Sequence, residues 1–226
     1  MNTPAARIAL IHATALAVEP IAAAFGRHWP QARRMNLLDD SLSVDRAEAG
    51  ELTPAMTRRF VDLARYARRA GCDAILFTCS AFGPAIEAAA AAVDVPTLKP
   101  NEAMFDEALA QCPAAGGKLG LIATFEPSLA PMAAELMDKA RQRGARVELR
   151  TAFAPEAMQD LAEGRAQQHH QKIAVAASAL RDCDVVMLAQ FSMAAAVPAV
   201  QAELSGPVLS SPDCAVLALR KRILHA

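Results

Sequence analysis

The sequence predicts an α/β protein of two pseudo-twofold-related, parallel four-stranded βα subdomains with a cleft between them. Short apolar segments without helical periodicity alternate with helical ones, which is typical of parallel sheets covered by helices. This order occurs twice along the 226 residues, and matched residues lie 111 positions apart, as Cys72 and Cys183 show (183 − 72 = 111). The length also suits two units of about 100 residues each.

Matched residues at the starts of strands and helices carry the repeat. A repeat with so long a period indicates two copies of one βα subdomain rather than a solenoid. The second copy begins after Gly116 and Gly117. The matched pairs are Arg7 and Lys118, Pro20 and Pro131, Cys72 and Cys183, Asp73 and Asp184, Pro96 and Pro207, and Leu98 and Leu209.

The pattern of apolar, capping and breaking residues predicts four strands and four helices in each half. In the first half, strands are predicted at 7–12, 34–38, 74–78 and 95–98, with helices at 18–28, 54–70, 84–92 and 101–110. The polar segment 39–50 is interpreted as a loop, either over the cleft or on the surface. In the second half, strands are predicted at 118–123, 146–150, 184–190 and 207–209. Helices are predicted at 127–144, at 161–181 and at 212–224, with one more between the third and fourth strands that ends at 204.

Composition argues for a small-molecule partner. The net charge is −1, from 23 basic and 24 acidic side chains, so no basic patch indicates nucleic acid or an anionic membrane surface. Aromatic residues make up only 4%, which disfavours base stacking. No apolar segment reaches the roughly 20 residues of a membrane span. A homodimer is the base-rate expectation for the assembly.

Cysteine usage predicts a reducing, cytoplasmic location and no metal. The five cysteines form no C-x-x-C pair and no zinc spacing, and their odd number argues against a disulfide framework. His169 and His170 are adjacent on a predicted helix, point in different directions and lack a third ligand. No glycine-rich nucleotide-binding motif follows a strand, so no cofactor is expected.

The segment 73–84 holds the strongest candidate for chemistry. An apolar strand is followed by Cys79 and Ser80, then by Gly83 and Pro84, and proline suits the first turn of a helix. A thiol in such a turn lies near free amides and a helix N-terminus, which lower its pKa and bind carboxylates or phosphates. The alternative is that Cys79 is an ordinary core cysteine.

Ligands of open α/β sheets bind beyond the carboxyl ends of the strands. The candidates are therefore the residues after strands one and three of each half. His12 is able to orient a carboxylate or act as an acid or base, and equally to cap its turn. These candidates are His12, Ala13, Thr14, Cys79 and Ser80 in the first half, and Ala123, Thr124, Phe125, Gln190 and Phe191 in the second.

With its two matching halves and Leu-Phe-Thr-Cys-Ser at 76–80, the chain resembles the aspartate/glutamate/hydantoin racemase superfamily, which also includes maleate isomerases and arylmalonate decarboxylases. The resemblance implies subdomains of 1–99 with 212–226, and of 100–211. In the racemases, each half contributes one cysteine beside the substrate's α-carbon. Cys79 matches the first of these, and Gln190 stands at the second, where it cannot exchange a proton at neutral pH.

The resemblance also implies the substrate-binding residues. Thr124 and Ser128 match a hydroxyl-bearing loop, the backbone of 79–81 matches a carboxylate cradle, and His12, Thr14, Ser80, Ala81 and Phe191 complete the candidates. The implied function is cofactor-independent proton transfer at the carbon next to the carboxylate of a small acid. A single-cysteine decarboxylase, a cis–trans isomerase and a non-catalytic carboxylate-binding protein are the alternatives.

Overall fold

The computed structural model describes residues 5–113 and 116–224. Residues 1–4, 114–115 and 225–226, which the predicted subdomain ranges include, lie outside the described part. The chain divides into two compact units. The first consists of the residues up to Glu102 together with those from Ala215 onward, and the second is Ala103–Cys214.

The first unit contains a parallel four-stranded sheet of order β2-β1-β3-β4. Its β3 lies between two neighbours and is buried along its whole length, as its uninterrupted apolar sequence predicts. The strands are β1 (Arg7–His12), β2 (Arg33–Leu38), β3 (Ala74–Phe77) and β4 (Thr97–Leu98). The helices that end within this unit's first 102 residues are α1 (Val18–His28), α2 (Ser41–Ala49), α3 (Pro54–Arg69) and α4 (Gly83–Ala91).

The second unit contains a parallel four-stranded sheet of the equivalent order, β6-β5-β7-β8. The predicted fold class, with two parallel four-stranded sheets and flanking helices, is confirmed. The strands are β5 (Gly117–Ala123), β6 (Val147–Phe153), β7 (Val185–Leu188) and β8 (Val208–Ser210). The remaining helices are α5 (Glu102–Gln111), α6 (Leu129–Gln142), α7 (Ala157–Ala162), α8 (Ala166–Ala177), α9 (Val197–Gln201) and α10 (Ser211–Leu224).

The repeated aspartates fix the start of the first strand in each unit. The Asp73 carboxylate accepts a hydrogen bond from the Arg7 amide at 2.7 Å, and the Asp184 carboxylate accepts one from the Lys118 amide at 2.7 Å. The Asp73 and Asp184 amides donate back to the carbonyls of the same two residues, at 2.8 Å each. This reciprocal pair sets the register between the first and third strands, and it joins residues 66 positions apart in both units.

The register of the second strand departs from the repeat. Arg7 is paired with Arg33 in the first unit, whereas Lys118 is paired with Glu148 in the second. The offset here is 115 (148 − 33 = 115), so four extra residues precede β6. The repeat therefore holds along the first, third and fourth strands and fails at the second strand, one edge of each sheet.

Two predicted elements were wrong in detail. Segment 39–50 is mostly helix α2 rather than loop, because Leu42 is fully buried in the core. Arg59 of α3 also forms ion pairs with Asp39 and Asp45, which attach the segment to α3. The predicted helix 161–181 is interrupted at Gly164, whose φ of 77° lies in the left-handed region, so α7 and α8 are separate. In the described residues, no helix is long and apolar enough to cross a bilayer.

Candidate functional site

Cys79 lies directly after β3, where the chain leaves the sheet. Its backbone is extended, and Ser80–Phe82 form one 3-10 turn that leads into α4. The thiol is free and half-buried, and it packs against the core of the first unit. The backbone N–H of Ala81 donates a hydrogen bond to the sulfur. The strand-to-helix turn thus holds one thiol with one amide directed at it.

Burial raises the pKa of the Cys79 thiol above its ordinary value, and the Ala81 amide opposes this rise only in part. The expectation of a lowered pKa was therefore wrong. The helix N-terminus is separated from the sulfur by the 3-10 turn, whereas the apolar core contacts it directly, so desolvation decides the direction. The free protein holds Cys79 as a neutral thiol at neutral pH.

Three aromatic side chains form the floor beneath this turn. Phe82, the last residue of the turn, is 1% exposed, and its ring centroid lies 4.8 Å from that of Phe60. Phe60 in turn stacks on Phe77 of β3 at 5.2 Å with an angle of 22° between the rings. This packing fixes the turn on both sides of Cys79, because Phe77 and Phe82 flank it in the chain.

His12, at the end of β1, is fully buried. One ring nitrogen, Nδ1, lies 2.8 Å from the Thr78 hydroxyl, and the other, Nε2, lies 3.0 Å from the Asn36 side-chain oxygen. Burial lowers the pKa of His12 below its ordinary value, and the hydrogen bond to Asn36 opposes the shift. His12 is thus a neutral side chain that ties the ends of β1, β2 and β3 together, next to Cys79.

The hydroxyls in the first unit differ in how they are used. Thr14 accepts a hydrogen bond from the Leu16 amide at 3.4 Å, so it caps the turn after β1. Ser43 of α2 donates to the Ala13 carbonyl at 2.5 Å, which ties α2 to the same turn. Within the described part of the chain, no group hydrogen-bonds the half-buried Ser80 hydroxyl. Ser80 is therefore the hydroxyl that remains open beside the thiol.

In the second unit, Gln190 occupies the position that matches Cys79. Its Oε1 accepts hydrogen bonds from the Thr124 amide at 2.9 Å and from the Thr124 hydroxyl at 3.3 Å. Its Nε2 donates to the Ser128 hydroxyl at 2.8 Å. The Ser128 hydroxyl donates in turn to the Phe125 carbonyl at 2.7 Å. The carboxamide therefore bridges the turn after β5 and the turn after β7.

The other candidates of the second unit differ in exposure. Thr124 and Phe191 are each 4% exposed, and Thr124 is hydrogen-bonded to Gln190. Phe125, by contrast, leaves 45% of its surface exposed at the turn after β5. Among the described residues, no group of three or more metal-ligating side chains is close enough to hold an ion.

Sequence reasoning missed the partners that fix these side chains. Asn36 lies on β2 and carries no motif, yet it bonds His12 across two strands. The alternation along β2 gave no signal for this bond, because it places Met35 and Leu37 on the half-buried face and Asn36 on the exposed one.

Known protein structures with the same fold cover nearly the whole chain. A glutamate racemase isoform from Bacillus anthracis aligns with a TM-score of 0.73 at 15% identity, covering 99% of this chain and 83% of its own. An allantoin racemase from Klebsiella pneumoniae aligns at 0.71 with 17% identity, covering 98% and 89%. An unliganded arylmalonate decarboxylase aligns at 0.61 with 18% identity, covering 92% and 88%. At these identities the likeness establishes the fold alone.

Sequence comparison gives the family. A search of curated proteins found no match. The family model described as Asp/Glu/Hydantoin racemase matches residues 8–147, which is more than half of the 226 residues and includes Cys79. The chain therefore belongs to the Asp/Glu/hydantoin racemase family.

Proposed function

We propose that this protein catalyses cofactor-independent proton transfer at the carbon next to the carboxylate of a small acid. Cys79 is its only acid–base thiol, and Gln190 replaces a second one. Family membership supports an isomerase of the racemase type. The observation that carries the proposal is the free Cys79 thiol at the end of β3, with the Ala81 amide directed at it and the open Ser80 hydroxyl beside it.

The chemistry requires donors as well as a thiol. Removing or adding a proton next to a carboxylate passes through an enediolate, whose second negative charge needs hydrogen-bond donors. The Ser80 hydroxyl is one, and the Nε2 hydrogen of Gln190 that does not bond Ser128 is another. Fixed donors of this kind stabilise developing charge without reorganisation.

Gln190 limits what the thiol is able to do. Racemisation by two bases needs a proton donor on each face of the substrate carbon. A carboxamide does not titrate near neutral pH, so Gln190 contributes hydrogen bonds only. Proton delivery in this proposal therefore comes from one face, and from Cys79.

The raised pKa of Cys79 favours a second candidate, a single-cysteine decarboxylase. A neutral thiol is ready to give a proton and poorly suited to begin by removing one. In that reaction the C–C bond to one carboxylate breaks, CO2 leaves, and the electron pair remains as an enediolate. The Cys79 S–H then protonates the carbon, and the resulting thiolate takes a proton from water. The arylmalonate decarboxylase among the proteins of similar fold supports this candidate.

Solvent deuterium tests the proposal and separates its two forms. A panel of small mono- and dicarboxylic acids is incubated with the protein in D2O and followed by NMR. Deuterium entering the α-carbon of unchanged acid indicates isomerase chemistry, whereas CO2 with deuterated product indicates the decarboxylase. Cys79→Ala is expected to abolish either signal while leaving carboxylate binding largely intact.

Cys112→Ala is the matched control, because Cys112 is also free and half-buried but lies before β5. It is expected to retain full turnover. Turnover that survives in Cys79→Ala would overturn the proposal. A protein that binds carboxylates with no exchange and no CO2 would instead be the non-catalytic carboxylate-binding protein.

A further inference from the structure

Gln190 bonds two donors and one acceptor in the second unit. The Thr124 amide and hydroxyl donate to its side-chain oxygen, and the Ser128 hydroxyl accepts from the adjacent nitrogen. If the Ser128 hydroxyl turned to donate as well, these three groups would form a donor set able to bind one end of a carboxylate. In this chain the planar group that they hold is the protein's own carboxamide.

The polarity of the set matches a carboxamide and opposes a carboxylate. The Ser128 hydroxyl is committed as a donor to the Phe125 carbonyl, so toward Gln190 it acts as an acceptor. A carboxylate in the same place would bring a second oxygen against that acceptor. It would bind well only after the hydroxyl rotated and released Phe125, which removes a hydrogen bond.

The first unit has no equivalent of this set. The residues that match Thr124 and Ser128 by the 111 spacing are Ala13 and Ala17, which carry no hydroxyl (124 − 111 = 13 and 128 − 111 = 17). Both alanines are buried, at 2% and 3% exposure. The donors and the side chain that fills them therefore occur together, and only in the second unit.

We propose that Gln190 is a built-in ligand that keeps carboxylates out of the Thr124 and Ser128 donor set. The second unit then offers a substrate one neutral N–H donor instead of a carboxylate site. Acids with a single carboxylate to be bound, held at the Cys79–Ala81 turn, are the substrate class this arrangement selects. This inference rests on the proposed function, since it concerns the same substrate.

Removing the internal ligand is the test. Isothermal titration with acetate and with malonate is carried out on the wild type and on Gln190→Ala. Freeing the donors is expected to tighten malonate binding about tenfold, the equivalent of one or two hydrogen bonds. The triple variant Gln190→Ala, Thr124→Val, Ser128→Ala restores no side chain and removes both hydroxyls, so the gain should largely disappear. An unchanged affinity in Gln190→Ala, or a gain that persists undiminished in the triple variant, would overturn the inference.

The same titrations separate this inference from the proposed function. In the Cys79→Ala background the tenfold gain should remain, because the hydrogen bonds that Gln190 releases all lie within the second unit. A gain in that background, with no turnover by the wild type on any acid, would support the internal ligand and refute the enzyme. Turnover by the wild type without any gain in Gln190→Ala would do the reverse.

A measurement on the wild type covers the case in which Gln190→Ala fails to fold. The scalar coupling across the hydrogen bond between the Thr124 amide nitrogen and the Gln190 side-chain carbonyl carbon is recorded by NMR during an acetate titration. It is expected to persist when the shift of the Ala81 amide has saturated. Loss of the coupling over the same concentration range would show that acetate displaces Gln190, and would overturn the inference.

Discussion

The turns after β3 and β7 follow the same backbone plan and carry opposite side-chain chemistry. In the first unit, a neutral thiol lies over an aromatic floor with one amide directed at it. In the second unit, a carboxamide lies at the same position, held by Thr124 and Ser128 with one N–H left free. The comparison indicates that the fold places a side chain at the same position in both units. A few neighbouring groups then decide whether that side chain is able to react.

The two units differ in the packing beneath these turns. Phe82 corresponds to Met193, and both are almost completely buried. We expect Phe82→Ala to lower the free energy of unfolding by about 3–5 kcal/mol, because a large buried ring is lost. Phe82→Met, which copies the second unit, should cost less than about 1.5 kcal/mol. Urea titrations measure both, and equal costs would show that the floor is not tightly packed.

Gln190 is expected to contribute to turnover through its free N–H. Gln190→Ala should lower kcat by about 10²-fold, the effect of removing one donor to a developing oxyanion. Because the same substitution frees carboxylate donors, KM should fall as well. Steady-state kinetics, measured on an acid that the protein turns over in the D2O experiment, gives kcat and KM separately. An increase in KM with unchanged kcat would mean that Gln190 only binds substrate in its ground state.

His12 is expected to make the first unit sensitive to acid. Its pKa is lowered in the folded protein, so below about pH 6.5 the unfolded chain takes up a proton that the folded chain does not. The stability it contributes is present above this pH and is lost as pH falls, by up to about 1.4 kcal/mol per pH unit until the folded pKa is reached.

His12→Ala, which copies Ala123, tests this directly by urea unfolding at pH 7.5 and at pH 5.5. At pH 7.5 it should cost roughly 1–3 kcal/mol, because the buried Thr78 hydroxyl loses its partner and a buried ring is removed. At pH 5.5 the difference from the wild type should be smaller. The pKa of His170 is also lowered by burial, but this residue is present in both proteins and its effect cancels. A pH-independent difference would contradict the neutral, buried His12.

The smallest expected effect is the one that the two units share. Asp73→Ala and Asp184→Ala each remove a carboxylate that accepts a strand-start amide at 2.7 Å. Each should cost about 1 kcal/mol, and the two costs should agree. Thermal unfolding of both variants measures this. Clearly unequal costs would show that the repeated aspartates do not have the same structural role.

The parts of the fold that repeat were predictable from the sequence. Matched Asp73 and Asp184 fix the register of the first and third strands, and an uninterrupted apolar run identifies β3 as buried on both faces. Helix α2 was missed, because its stability comes from Leu42 in the core and from Arg59 on another helix rather than from local periodicity. The four-residue offset before β6 was not predicted either, because none of the matched residue pairs lies in β2 or β6.

The positions of the candidate site residues were predictable from the sequence, but their protonation and hydrogen-bond partners were not. The sequence places Cys79, Ser80 and Gln190 after strands, and the structure finds them there. It does not tell that burial outweighs the helix N-terminus at Cys79, or that Thr124 and Ser128 bind Gln190. The second fact depends on which atoms meet across 60 or more residues, as the separation of 66 between Thr124 and Gln190 illustrates.

One-sided proton delivery by Cys79 is the central claim, and the configuration of product formed in D2O tests it most directly. The wild type is given a prochiral acid that it turns over, and the deuterated product is resolved on a chiral column. The account predicts a single enantiomer from the wild type, and loss of that selectivity in Gln190→Cys, which supplies a second thiol. A racemic deuterated product from the wild type would contradict it, because a second proton donor would then act on the other face.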